Sequence, residues 1–411
     1  MDTLYPGCAG IDVHKNNVVV AIRCQEGAAK IHEEVRTFAT MTADLLALSD
    51  WLAEHAVTHV AMESTGVYWK PVFNILEGRF GVILVNAEHI KQVPGRKTDV
   101  KDCQWIAQLL QHGLLKASFV PPEPIRELRD LTRQRAQLIG EKASAINRIQ
   151  KVLEDANIKL ASVATDVLGV SGRDMLEALI AGETDAAKLA DLAGVRLREK
   201  IPALRRALQV QVTDHHRFLL RMHLDHSAHL EELIGRWSVR IEEKMALFAE
   251  AAQRLQTIPG ISQRVTEVMV AEMGTKMEQL ATADHLASWA GMCAGNNESA
   301  GKRGSGRTTK GDRWLRTALV QAAWAASHSR GTYVAAFYRR LVRRRGRKKA
   351  LIALGHTLLV MVYHVLKRGT TYAELGGDFL DRLEPERLTR QLVKRLEHLG
   401  HKVTLEPCSA A

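Results

Sequence analysis

Four acidic residues in the first quarter of the chain stand where their carboxylates can converge. Asp12 lies in the run "GIDVHK", Glu63 in "MESTGVYW", and Asp99 and Asp102 in "KTDVKDCQWIA". The last two are three positions apart at the front of an apolar helical run, so they share one face of a helix. One interpretation is purely structural. An Asp before a helix accepts the free amide hydrogens of the first turn, and an acid inside that turn suits the helix dipole.

Capping does not account for Asp12 and Glu63, which lie on predicted strands. If those strands are neighbours, the two carboxylates emerge side by side, and a helix packed over the strand ends brings Asp99 and Asp102 to them. Four carboxylates repel one another unless a cation compensates them, which predicts a divalent metal site. Two Mg²⁺ ions about 4 Å apart can activate a nucleophile and stabilise a leaving oxygen on a phosphodiester.

A glycine-rich basic segment, residues 291–316, contains two serine hydroxyls, Ser299 and Ser305. A serine is a poor nucleophile until a base or a metal activates it, and no Ser-His-Asp pattern is nearby, so activation must come from elsewhere. The alternative interpretation is a flexible surface loop. The cations of this segment suit a phosphate backbone. They are Lys302, Arg303, Arg307, Lys310, Arg313 and Arg316.

A second basic run, from residue 339 to residue 349, contains eight cations in eleven positions. We interpret it as the basic end of a helix whose other end is apolar. Nucleic-acid binding fits this run better than a solvated face, because the like charges otherwise repel one another. The cations are Arg339, Arg340, Arg343, Arg344, Arg345, Arg347, Lys348 and Lys349.

The bulk composition agrees with an acidic partner. The length of 411 residues favours two or three domains. The formal net charge of +11 and the pI near 9.5 favour nucleic acid as the partner. With no apolar run near ~20 residues and no signal peptide, we expect no membrane association and a cytoplasmic, nucleoid-associated protein. The five cysteines are scattered without a CxxC pair, which argues against a disulfide framework or a zinc ribbon.

Histidines contribute little to the predicted chemistry. Five of them, His215, His216, His223, His226 and His229, include helical i, i+3 spacing, but they lie on a charged helix without cysteines, so zinc is not predicted there. His14, two residues after Asp12, is interpreted as a strand exit into a turn rather than as a general base.

The elements that must position these residues fall into regions. The first ~115 residues read β-β-β-α-β-α-β-α, a three-strand hairpin followed by parallel strands in a mixed α/β domain. From 121 to 255, two long amphipathic helices around a short helical unit predict an antiparallel coiled coil or helical arm for subunit contact. From 256 to 370 the chain is helical and basic, with a Pro259-Gly260 turn before a helix N-terminus that suits phosphate contact.

The sequence resembles the DEDD insertion-sequence transposases related to Piv-like site-specific DNA invertases, which are bridge-RNA-guided recombinases. The resemblance is carried by five motifs, which occur in the order "GIDVHK", "MESTGVYW", "KTDVKDCQWIA", "IPGI" and "NNESAGKRGSGRTTKGDRWLR". The resemblance covers roughly residues 8–115 and 255–365. It implies a RuvC-like (RNase H-like) metal domain over 1–118, a coiled-coil arm over 119–255, a helical transposase domain over 256–370 and an accessory extension over 371–411.

The resemblance also implies roles for individual residues. The D-E-D-D acids fall on Asp12, Glu63, Asp99 and Asp102, which would hold Mg²⁺, and the catalytic serine falls on Ser299 in the pattern Ser299-Ala300-Gly301. Ser299 would attack a DNA phosphate to give a covalent phosphoserine. A non-coding RNA would pair with donor and target DNA, and dimers would assemble to a tetramer, with an active site shared between subunits.

Two other classes of function remain open from the sequence. One is a metal-dependent nuclease or junction resolvase of the RNase H superfamily that uses water as the nucleophile. The other is a basic DNA-binding or scaffolding protein without catalysis. Replacement of Ser299 by alanine should abolish recombination but leave hydrolysis by a nuclease intact. Replacement of Asp12 or Glu63 should change nothing in a protein that only binds DNA.

Overall fold

The structure, a computed structural model, forms two compact units, residues 1–120 and 121–411. It describes residues 3–26, 30–64, 66–86, 102–209, 212–293, 298–299, 302–303, 307–308, 310–383 and 385–406. The division of the second unit into an arm, a transposase domain and an extension stays a prediction.

The first unit is built on a five-stranded mixed sheet in the order β3-β2-β1-β4-β5. Strands β1 to β3 form an antiparallel hairpin series, and β4 and β5 run parallel to β1, as the strand pattern predicted. Alternating β-branched residues such as Val18, Val20 and Ile22 are buried, which is typical of strands covered by helices. The strands are β1 (Gly7–Val13), β2 (Asn17–Glu26), β3 (Lys30–Ala39), β4 (His59–Glu63) and β5 (Gly81–Val85).

Helices cover both faces of this sheet. Helices α1 (Thr42–Glu54) and α2 (Trp69–Leu76) pack on one face through an apolar core that includes Ile11, Met62 and Trp51. Helix α3 (Asp102–Gln111) packs on the opposite face through Ile106, Leu109 and Leu110. Met41 is the N-cap residue of α1, and no side chain caps this helix.

Two long helices dominate the first part of the second unit. Helices α4 (Glu123–Asp155) and α9 (Asp214–Met245) pack antiparallel, since the start of α4 contacts the end of α9 and the reverse. Midway along, Leu138 and Ala145 pack against Leu230. The second long helix begins at Asp214, after the non-helical residues 208–209 and 212–213, and a 3₁₀ turn follows its last residue. Whether the pair is a coiled coil stays a prediction.

Short helices fill the connection between the long ones and close a separate apolar core around Leu160, Met175 and Leu204. They are α5 (Leu160–Val163), α6 (Val170–Ile180), α7 (Ala186–Asp191) and α8 (Ile201–Ala207), with 3₁₀ turns at Arg198–Lys200 and Ala246–Phe248. His216 has a structural role here, because its ring completes the capping box of α9 and its Nε2 lies 2.9 Å from an Asp155 carboxylate oxygen.

The remainder of the unit is a helical core that runs through the basic segments. The helices are α10 (Ala249–Gln256), α11 (Gln263–Met273), α12 (Ala283–Trp289), α13 (Arg313–Ser327), α14 (Tyr333–Arg345), α15 (Arg347–Arg368), α16 (Phe379–Leu383) and α17 (Pro385–His398). Gly260, in the predicted Pro-Gly turn, packs on α13, where a β-carbon would lie 2.5 Å from the Ala322 carbonyl oxygen. Close helix packing therefore explains this glycine.

Helix α15 corrects the expectation that the chain has no long apolar run. By length and composition it could cross a membrane, with a mean hydropathy of 1.6 over its most apolar window. Within that window 44% of the residues are buried, and Leu354, Leu358 and Val362 belong to the helical core of the unit. Its apolar character is explained by that packing.

The basic run at 339–349 is also different from the prediction of a single helix. Gly346 has a φ of 77°, a left-handed conformation that glycine adopts at low cost, and it ends α14 and precedes α15. Arg343, Arg344 and Arg345 therefore end one helix, and the next cations begin another.

Candidate active site

Asp12 and Glu63 are neighbours at the carboxyl ends of adjacent parallel strands. Residues Ile11 of β1 and Met62 of β4 are paired in register, and Asp12 and Glu63 are the next residue on each strand. Neighbouring strands lie about 4.8 Å apart, so the two acids leave the sheet side by side. The condition that the sequence set for convergence, adjacency of the first and fourth strands, is met.

Both side chains lie on the face of the sheet that α3 covers. Ile11 and Met62 enter the core beneath α1 and α2, whereas Cys8 and Ala61 pack with α3. Because side chains alternate along a strand, Asp12 lies on the same face as Cys8, and Glu63 lies on the same face as Ala61. Asp12 is partly buried, with 23% of its side chain exposed, and Glu63 is half-buried.

Helix α3 brings Asp102 to the same end of the sheet. It runs antiparallel to β1, because Gln111 at its end accepts from the amides of Leu4 and Tyr5 just before β1, while its first turn lies over Gly10. Asp102 is the first residue of this helix and is exposed. The positive end of the helix dipole thus faces the carboxylate end of the strands, which lowers the repulsion among them.

Polar contacts fix the rotation of α3 about its axis. Gln104 donates to Glu33 of β3 at 2.6 Å, and Arg23 of β2 pairs with the same glutamate and donates to Gln111 at 3.0 Å. These contacts link both ends of α3 to the antiparallel half of the sheet. The helix therefore holds its first turn at a defined place.

Asp99, the fourth predicted acid, lies outside the described residues. Within the described part of the chain, Asp12, Glu63 and Asp102 do not each bring an oxygen within 4.8 Å of the other two. The donor set is made of carboxylates alone, which is the chemistry of Mg²⁺ rather than of zinc. Residues of the right type therefore share one face and one edge of the sheet.

His14 is a further neighbour of this group of acids. It does exit the strand into a turn, with its amide bonded to the Asn17 carbonyl, yet its Nε2 lies 3.2 Å from a carboxylate oxygen of Asp12. The signal was present, because residues two apart on a strand share a face.

Ser299 lies on a two-stranded hairpin in the second unit. Strand β6 (Glu298–Ser299) pairs with β7 (Lys302–Arg303), and Ser299 is directly opposite Lys302. Ser305 lies outside the described residues.

The segment that carries the hairpin begins and ends at one point. The backbone of Gly311 lies against that of Gly291, so that a β-carbon on Gly311 would be 2.2 Å from the Gly291 nitrogen. This contact, called the neck below, brings together the two ends of the segment from 292 to 310, called the serine loop below, on the helical core.

Beyond the neck, Asp312 anchors the loop to buried charges. One carboxylate oxygen caps α13 by accepting from the Leu315 amide at 2.8 Å, and the other lies 3.3 Å from Arg133 of α4. Arg133 also forks onto both oxygens of Glu272, at 2.8 and 2.7 Å. Glu272 is fully buried, and this burial raises the pKa of its carboxyl although Arg133 opposes the shift.

The same surface of α4 makes two further buried contacts with α11. Arg129 donates to the carbonyls of Ala271 and Glu272 at 3.1 and 2.5 Å. Arg135 lies 2.6 Å from Glu267, and both residues are buried. Nothing in the sequence pattern indicated this network, because arginines on a long charged helix are usually solvated.

Cys8 and Cys293 are poor alternatives to the serine as nucleophiles. Burial raises the pKa of Cys8, beside α3, to about 12. Burial also raises the pKa of Cys293, at the start of the serine loop, with a smaller contribution from Asp284. Neither thiol forms the reactive thiolate readily at neutral pH.

The predicted phosphate-binding cations are placed on several elements. Arg307, Lys310 and Arg313 are exposed, and Arg313 stacks over the Trp314 ring at 4.3 Å. Lys302 and Arg303 lie on β7, and Arg316 is half-buried on α13. The remaining ones, Arg343, Arg344, Arg345, Arg347 and Lys348, are all exposed around the Gly346 break.

Comparison with known families accounts for both halves of this arrangement. A family model of DEDD-type IS110 transposases matches residues 9–158, and a model described as "Transposase IS116/IS110/IS902 family" matches residues 252–339. The chain belongs to the DEDD insertion-sequence transposases. A transposase of this family acts on DNA and cuts and rejoins it. The first match contains the acids and the second contains Ser299.

A curated relative agrees with this assignment. The chain is 22% identical over 299 residues to the transposase for insertion sequence element IS1111A of Coxiella burnetii, a match covering 70% of this transposase and 72% of the relative.

Proposed function

We propose that this transposase moves its element by serine recombination, with a RuvC-like (RNase H-like) domain holding Mg²⁺ and Ser299 as the nucleophile. The observation that carries the proposal is the placement of Asp12 and Glu63 on adjacent strand ends beneath the first turn of α3, which begins at Asp102. The mixed sheet with its carboxylates at one edge supports the RNase H-like assignment.

The acids Asp12, Glu63, Asp99 and Asp102 are the proposed metal ligands. Mg²⁺ bound there supplies positive charge to the phosphate oxygens and favours deprotonation of the attacking hydroxyl. His14, whose Nε2 lies 3.2 Å from a carboxylate oxygen of Asp12, orients that carboxylate. The helix dipole of α3 adds fixed positive potential at the same edge.

Ser299 acts by transesterification. Its Oγ forms a bond to a DNA phosphorus as its proton leaves, and the bond from phosphorus to one deoxyribose oxygen breaks, releasing a DNA hydroxyl. A hydroxyl of the partner strand then attacks the phosphoserine and releases Ser299. One phosphodiester is exchanged for another at each step, so rejoining needs no external energy source. The closed neck at Gly291 and Gly311 limits the positions that the hairpin can adopt.

The exposed cations are proposed to hold nucleic acid. Those of the serine loop would contact DNA close to the reacting phosphate, and those around Gly346 would contact a more distant stretch of backbone. Arg347 begins α15, and Lys348 and Lys349 follow it directly in the first turn. Three cations at the positive end of a helix dipole are repelled by it, which favours an anionic partner there.

Partners follow from the family resemblance. We propose a structured non-coding guide RNA that pairs with donor and target DNA, and a homo-oligomer in which dimers associate to a tetramer through α4 and α9. The exposed side chains on these helices, among them Ile139, Phe218 and Met222, offer apolar contact area for such an association. The protein would work at the prokaryotic nucleoid.

A covalent-adduct trap tests the nucleophile. Full-length protein, labelled donor and target DNA, the element's RNA and Mg²⁺ are mixed and resolved on a denaturing gel. We expect a labelled band at protein size that disappears with EDTA and in Ser299→Ala but persists in Ser305→Ala. An adduct retained by Ser299→Ala would refute the assignment.

The same gel separates the competing functions. Cleavage without any adduct, retained in Ser299→Ala and lost in Asp12→Asn, would indicate an RNase H-superfamily nuclease or junction resolvase that uses water. DNA binding that is unchanged in Asp12→Asn and Glu63→Gln, without cleavage under any condition, would indicate a scaffolding protein.

A further inference from the structure

Two histidines and a glutamate meet on the sheet face opposite the one that carries Asp12 and Glu63. His32 and Glu34 lie two apart on β3 and therefore share a face, and His55 is the residue that ends α1. One ligand atom of each side chain lies within 4.8 Å of those of the other two, and in the described part of the chain this is the one such group of three. Glu34 faces α1, whereas its neighbour Glu33 faces α3.

Hydrogen bonding does not account for the meeting of these side chains. Glu34 Oε2 lies 3.9 Å from His32 Nε2 and 3.7 Å from His55 Nε2, both longer than an N–H···O hydrogen bond. Two ligands of one tetrahedral cation, with bonds of about 2 Å, lie about 3.3 Å apart. The two separations from Glu34 need to close by about 0.4 to 0.6 Å to suit a shared cation.

Outer contacts prepare two of the three ligands, His55 and Glu34. His55 Nδ1 lies 2.8 Å from the Trp51 carbonyl oxygen, which accepts its proton and leaves Nε2 with a lone pair toward Glu34. Arg36 donates to Glu34 Oε1 at 2.8 Å and leaves Oε2 for the centre of the group. Such support of an imidazole by a carbonyl, and of a carboxylate by a donor, is the usual surrounding of a protein metal site.

We propose that His32, Glu34 and His55 form a zinc site with the fourth position taken by water. Two imidazoles and one carboxylate suit Zn²⁺ and exclude Mg²⁺, which prefers oxygen ligands. Bound zinc would join the edge strand β3 to the end of α1. The site is independent of the proposed recombination chemistry, because it lies on the other face of the sheet.

Zinc titration of the full-length chain tests this site. Protein stripped with chelator is titrated with Zn²⁺ against a chromogenic competitor in millimolar Mg²⁺, and thermal unfolding is followed with and without zinc. We expect one equivalent to bind and to raise the Tm. His32→Ala, whose ring is largely exposed, should lower the affinity at least tenfold and remove the rise, and Glu34→Gln should do the same.

The histidine-rich helix α9 provides the matched control. His226→Ala removes an exposed histidine from that helix and should leave zinc affinity unchanged. Equal zinc affinity in the wild type and His32→Ala, or a loss in His226→Ala instead, would overturn the proposal. Cobalt substitution reports the ligands, since an intense thiolate-to-metal band would make Cys24, whose thiol donates to the His55 carbonyl at 3.2 Å, a ligand and refute the His₂Glu set.

Discussion

Gly10 and Ala107 touch through their backbones, and this contact sets the depth at which α3 lies on the sheet. A β-carbon on Gly10 would be 2.4 Å from the Ala107 nitrogen and 2.2 Å from the Cys103 carbonyl oxygen. Only glycine permits this approach. Because Asp102 precedes Cys103 and Asp12 follows Gly10 by two residues, the same contact decides how far the acid of the helix lies from those of the strands.

Replacement of Gly10 by alanine should therefore affect stability and activity together. The added methyl pushes α3 from the sheet, and we expect a loss of about 1–3 kcal/mol in unfolding free energy, typical of overpacking, with a loss of DNA cleavage. Denaturant unfolding and the cleavage assay measure the two effects. Gly78→Ala is the control, since nothing lies within 4 Å of its added methyl. Unchanged cleavage in Gly10→Ala would show that α3 does not position the site.

Repulsion among the clustered carboxylates of Asp12, Glu63 and Asp102 should lower the stability of the metal-free protein. Glu63→Gln removes one like charge, so we expect a higher Tm than the wild type in EDTA and loss of the Tm increase caused by Mg²⁺. Differential scanning calorimetry with and without Mg²⁺ measures both. Exposed Glu54→Gln, on α1 in the same unit, should leave the Mg²⁺ effect intact. A full Mg²⁺ response in Glu63→Gln would exclude this glutamate as a ligand.

The neck of the serine loop gives a prediction about positioning. Gly311→Ala cannot keep the backbone contact with Gly291, so the hairpin should lose its placement while the helical core stays folded. We expect covalent adduct formation to fall about 100-fold, the cost of a misplacement near 1 Å, with little change in DNA affinity. Gly235→Ala on α9, with open space around it, should keep both. Equal adduct yields in the two variants would contradict a positioning role.

The sequence predicted the strands of the sheet, because alternating apolar residues are a local pattern. The adjacency of the first and fourth strands was a condition that the element order alone did not fix, and the structure meets it. The sequence did not predict the depth of α3, which depends on the contact of Gly10 with a helix about a hundred residues away. Gly346 is a similar case, since one left-handed residue divides a run that otherwise has continuous helical character.

A different reason explains why the burial of the α4 arginines could not be predicted from the sequence. Arg129, Arg133 and Arg135 lie on a long charged helix, where arginines are usually solvated, and their partners Glu267 and Glu272 are more than a hundred positions later in the chain. Only tertiary packing places α11 against them.

That packing predicts a strong coupling between Arg135 and Glu267. Arg135→Met leaves a buried carboxylate with a more distant partner, Arg264 at 3.5 Å, and should cost about 3–5 kcal/mol. Adding Glu267→Leu should recover most of this loss, because apolar replacement of a whole buried pair is often neutral. Urea unfolding of the wild type, both single variants and the double variant gives the coupling energy. Additive losses would show that the pair contributes nothing specific.

The arginines before Gly346 should contribute to nucleic-acid affinity through phosphates alone. Each phosphate contact on duplex DNA contributes about 0.9 to the slope of log affinity against log salt concentration. If Arg343, Arg344 and Arg345 each contact one phosphate, their joint replacement by alanine lowers that slope by roughly 2.7, weakens binding at low salt and leaves sequence preference unchanged. Fluorescence anisotropy over a salt series measures the slope.

A control removes the same charge elsewhere on the protein. Three exposed arginines near α8 are replaced instead, and this should change the slope less; they are Arg196, Arg198 and Arg206. If both triple variants lower the slope equally, net charge rather than the surface around Gly346 determines the binding.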